Sequence, residues 1–85
     1  MYYDKANREL MALIEELLSV EREYKFAQSR ANAHRDKAFE GDAWERALYF
    51  GALLRMLELE EHALKIETRI NEIVDSISMT IIPGA

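Results

Sequence analysis

The sequence predicts an all-α protein: an antiparallel two-helix hairpin of long, coiled-coil-like helices that dimerises into a four-helix bundle. Three observations predict it. Glycine and proline hardly interrupt the chain, which has Gly41, Gly51, Gly84 and one proline, Pro83. Two long sets of apolar residues recur at alternating steps of three and four. Between them stands a short segment with the chemistry of one helix end and the next helix start.

The first set is Tyr3, Ala6, Leu10, Leu13, Leu17, Val20, Tyr24, Ala27, Ala31, His34 and Ala38, and only His34 is neither apolar nor aromatic. Such spacing keeps every member on one stripe of an α-helix, so a helix is expected over residues 3–39. Ser29 and Asn32 have weaker helix propensity, and a break there is the competing reading. The second set is Tyr49, Ala52, Met56, Leu59, Ala63, Ile66, Ile70, Ile73 and Ile77, which predicts a helix over 43–77. In the turn, 40–42, Gly41 suits the left-handed conformation that ends a helix and Asp42 suits the cap of the next. Glu45, three residues on, completes a capping-box pair.

A loop this short makes the helices antiparallel. Facing residues then have numbers adding to about 82, which puts Ala31 opposite Ala52 and Val20 opposite His62. Residues 1–77 form the hairpin. Residues 78–85 are expected as an extended tail, because Ser78-Met79-Thr80-Ile81-Ile82 leaves the stripe, turns β-branched and meets Pro83.

Eighty-five residues enclose only a modest core, and domains of this size depend on disulfides, a metal or oligomerisation. The chain has no cysteine, which closes the first route and thiolate metal sites with it. Oligomerisation has a visible surface. From Ala47 to Leu57 the one charged residue is Arg55. A single neighbouring helix covers Tyr49, Ala52 and Met56, leaving Phe50, Leu53, Leu54 and Leu57 outward. The first helix carries a second stripe, Met11, Ile14 and Leu18. These seven residues are the expected interaction surface, for a second copy in a homodimer or for a different protein partner. Gly51 either marks the close approach of another backbone or is a tolerated glycine. Trp44 reads as a core anchor at the tip, with Ala27, Ala31 and Ala38 as small counterparts of Trp44, Tyr49 and Phe50.

The net charge of −5 opposes a nucleic-acid partner. The basic residues that would serve one are Lys25, Arg30, Arg35 and Lys37. Residues 22–59 carry net +1 and the remainder net −6, so a head-to-tail pair of hairpins would lay unlike halves together. The N-terminus lacks a signal-peptide pattern, and the longest apolar stretch, Ala47 to Leu54, is far short of a membrane span. The reading is a cytoplasmic protein with no membrane partner.

No cysteine nucleophile and no glycine-rich phosphate loop exist, and Ser19, Ser29, Ser76 and Ser78 stand in no motif. No catalytic, cofactor-binding or metal-binding residues are therefore assigned, and no cofactor is expected. Glu15-Glu16 and Glu72-Ile73-Val74-Asp75 resemble fragments of the carboxylate pattern of MazG-type nucleotide pyrophosphohydrolases. That resemblance implies magnesium held by these acids, although Ser19 stands where the pattern has a third. The layout is also similar to that of plasmid copy-control RNA-binding hairpins, with no motif in common. The function expected is a non-enzymatic, self-associating protein that works through protein contacts, as an adaptor, assembly factor or small inhibitor.

Overall fold

The computed structural model describes residues 2–81, which form two helices, α1 over Tyr2–Phe39 and α2 over Ala43–Ile81. Neither helix is broken. Past the exposed Ser29 and Asn32 the seam stays buried at Ala27 and Ala31, and that packing outweighs the small propensity cost of Ser and Asn. The two helices lie side by side as an antiparallel hairpin measuring 64 × 21 × 12 Å, one helix thick in its smallest dimension.

The turn is held by backbone hydrogen bonds that satisfy the end of α1. Gly41 takes a φ of 97°, the left-handed conformation that closes a helix. Its N–H donates to the Ala38 carbonyl at 3.3 Å, and the Asp42 N–H reaches the Lys37 carbonyl at 3.3 Å. Asp42 then opens α2, with its Oδ1 accepting from the Glu45 N–H at 3.1 Å. Only this half of the expected capping box forms. The Asp42 N–H is already committed to Lys37, and the Glu45 carboxylate turns across the hairpin to His34 Nδ1.

Lettering the two stripes as heptads puts their members at a and d. Positions e and g flank the seam on opposite sides, with b beyond e and c beyond g. Every described seam residue, from Ala6 to Ala38 on α1 and from Tyr49 to Ile77 on α2, is buried or half-buried. The fully buried set is Ala6, Val20, Ala27, Ala31, Ala38, Ala52, Leu59, Ile66 and Ile73. Val20, Leu59 and Ile66 form its centre, with Leu13, Leu17, Tyr24, Ala63 and Ile70 packed around them. Toward the turn the buried residues are alanines, which bring the helix backbones together and enclose little.

Three expectations need correction. Val20 packs with Leu59 and Ile66 in the seam, whereas His62 stands at its g edge and meets Glu16. A g side chain lies beside the contact line and does not face a d residue across it. Trp44 is 71% exposed, and Phe50 also faces outward, so neither fills the space beside the alanines. Trp44 occupies a c position, which the hairpin's own seam leaves uncovered. Finally, Ser78–Ile81 continue α2, where an extended tail was expected from Ser78. β-Branched residues lower helix propensity by only tenths of a kcal/mol, and a helix already nucleated and packed through Ile73 absorbs that cost. Residues 82–85, the remainder of the expected tail, lie outside the described residues.

A Cβ at Gly41 would meet no atom within 4 Å, so the backbone conformation alone selects glycine there. Gly41→Ala should destabilise the hairpin by about 1 kcal/mol through left-handed strain. A thermal melt should show a Tm lower by about 4–8 °C; an unchanged Tm would mean that the turn does not hold this conformation.

Candidate interaction surface

The two sides of the seam differ in chemistry. On the g side, charges pair across the helices at heptad intervals. Arg69 Nε donates to Glu9 at 2.8 Å, His62 Nε2 lies 2.9 Å from Glu16, and Arg55 Nη2 donates to Glu23 at 2.6 Å. In each pair the residue numbers add to 78, and all six residues stand at g. Arg69 and Arg55 also reach Glu72 and Glu58 one turn along α2, at 3.1 and 3.4 Å. Hydrogen bonds from Arg69 to Glu9 and then Glu72 raise the guanidinium pKa further. These side chains are about half exposed, and water and salt screen such pairs, so the ladder specifies pairing more than it supplies stability.

The e side gathers most of the large exposed apolar residues, with charges interspersed. Because all three ladder pairs join g to g, the e and b positions of both helices share the opposite broad face. Met11 and Leu18 at b and Ile14 at e come from α1; Phe50 and Leu57 at b and Leu53 at e come from α2. Five of these six are between 44% and 61% exposed, and Leu53 is half-buried. Leu54, at f, borders the face on the outside of α2 and is 60% exposed.

Sequence reasoning missed several members. Leu64, 63% exposed, follows Phe50 and Leu57 at the next b position, and the seven-residue interval alone would have found it. Val74 at e and Phe39 at b extend the face toward its two ends. Phe39, Tyr49 and Phe50 form an aromatic run with ring centroids 5.8 and 5.5 Å apart. Phe26 is exposed too, but at c, beside Arg22 and Arg30 on the charged side. A Cβ at Gly51 would meet nothing within 4 Å, so α1 is not the reason for a glycine there.

The other candidate residues do not assemble. Arg30 and Lys37 stand at g, whereas Lys25 and Arg35 stand at b and e, so the basic residues divide between opposite sides of α1. Of the four acids, Glu16 faces His62 and Glu72 accepts from Arg69, while Glu15 and Asp75 point outward at f. Among the described residues no group of three or more His, Cys, Asp or Glu is placed to hold a metal ion. No helix of the described residues is long and apolar enough to cross a membrane.

Compared with protein-family models, with curated proteins and with solved structures, the chain matches none.

One polar contact bridges the apolar face: the Tyr24 hydroxyl donates to Glu60 Oε1 at 3.0 Å. This hydrogen bond, with smaller contributions from desolvation and the Glu60 charge, raises the phenol pKa above its ordinary 10.0. The raised value means that folding favours the protonated phenol. The contribution is complete below the unfolded tyrosine value and is lost as pH rises through the folded one. Tyr24→Phe should therefore lower Tm near neutral pH, and the gap from the parent should close in melts above pH 10. A gap that persists there would assign the effect to ring packing.

Proposed function

We propose that this protein is a non-enzymatic, self-associating helical protein that acts through protein contacts, as an adaptor, assembly factor or small regulator of a larger machine. The observation that carries the reading is the apolar face formed by Met11, Ile14, Leu18, Phe50, Leu53, Leu57 and Leu64, exposed on one side of a hairpin whose other side is charged and paired. Contiguous apolar surface of this kind on a small water-borne protein marks a contact site. A second copy is the first partner.

Surface area supports the same reading. The chain exposes 6631 Å², whereas a globular monomer of 9.9 kDa exposes about 5,200 Å². The excess exceeds the roughly 800 Å² that each partner loses in a standard stable interface. No large side chain among the described residues is fully buried, so a lone hairpin encloses no complete core. Packing two hairpins face to face gives a four-helix bundle, in which the e and b positions become interior. Partner proteins would then be met by the surface left outside. A cytoplasmic location is part of the proposal and accords with a charged, cysteine-free chain.

Light scattering across a range of concentrations should return the mass of a dimer, and Phe50→Asp with Leu57→Asp should convert it to monomer. The same change at Phe26, on the opposite side, should leave the mass unaltered. A wild-type monomer at every concentration would refute self-association, and a double variant that stays dimeric would move the interface elsewhere.

A further inference from the structure

The charges on the apolar face are sorted along its length. On the tip half, the charged e and b positions include Lys25, Arg35 and Arg46; on the terminal half they include Glu21, Glu60 and Glu67. The ladder on the g side consumes its charges within the chain. Among the described residues, Lys25, Arg35, Arg46, Glu21 and Glu67 have no ion-pair partner, and Glu60 has only the neutral Tyr24 hydroxyl.

We propose that two copies pack head to tail through this face, about a two-fold axis passing beside Leu57. The proposal rests on the self-association reading and adds the partner's orientation. Such an axis carries Arg46 to the level of the second copy's Glu67. It also sets Phe50 at the level of the second copy's Leu64, so an apolar contact and an ionic one form in the same register. A parallel pair sets Arg35 and Arg46 beside their own copies at one end and glutamates beside glutamates at the other. Like charges held against an apolar interface are unfavourable, and complementary ones choose the orientation. The exposed area in excess of a globular shape suffices for this contact.

The absence of cysteine makes the test direct, since Glu40→Cys gives one label site per chain at the tip. Spin labels there should be about 50 Å apart in a head-to-tail dimer, from the 1.5 Å rise per residue. In a parallel dimer they would lie within about 20 Å, the width of a bundle of helices spaced 8–10 Å apart. The short distance overturns the orientation while leaving self-association intact. An absence of dipolar coupling, with a monomer mass, overturns both. Charge exchange gives a second readout. Arg46→Glu should weaken the dimer roughly three- to tenfold through two symmetry-related contacts, each on the scale of an exposed ion pair, and adding Glu67→Arg should restore it. If Arg46→Glu tightens the dimer instead, the copies are parallel.

Discussion

Two helices touch along a single line, and each can hide only one stripe of its circumference. Everything else in this molecule follows from that constraint. The a and d residues are the ones the contact line reaches, and they are the buried or half-buried ones from Ala6 to Ile77. Whatever apolar residue stands outside the line remains in water unless something other than this hairpin covers it. Among the described residues there is no third element to do so.

The seam and the turn were legible in the sequence because each has a local cause. Steps of three and four fix the buried stripe without reference to the partner helix, and Gly41-Asp42 encodes one cap and the next in adjacent residues. Register was not legible to the same degree. A stripe fixes which face is buried, but not which partner a long side chain at its edge selects across the seam. His62 was expected opposite Val20, and from the g edge it reaches Glu16. Trp44 was misread because hydrophobicity was weighed without heptad position. A large ring at c has no seam to enter, however apolar it is.

The exposed apolar face was partly legible. Phe50, Leu54 and Leu57 stand out as an apolar stretch, but the sequence does not reveal which side of the hairpin each helix lends to the other. That knowledge comes from Glu9–Arg69, Glu16–His62 and Glu23–Arg55, which set both g edges together and thereby gather both e and b edges. The same pairing separates Lys25 and Arg35 from Arg30 and Lys37, a division invisible when they are read as one basic run.

The chain's one tryptophan stands at the second residue of α2 with most of its ring in water. Its indole is thus poorly placed to report unfolding, since its surroundings change little when the helices separate. For the same reason it is a natural optical probe of the tip. A blue shift in its emission in the intact protein would register something drawing water away from that end of the rod, whether a second hairpin's termini or a foreign surface.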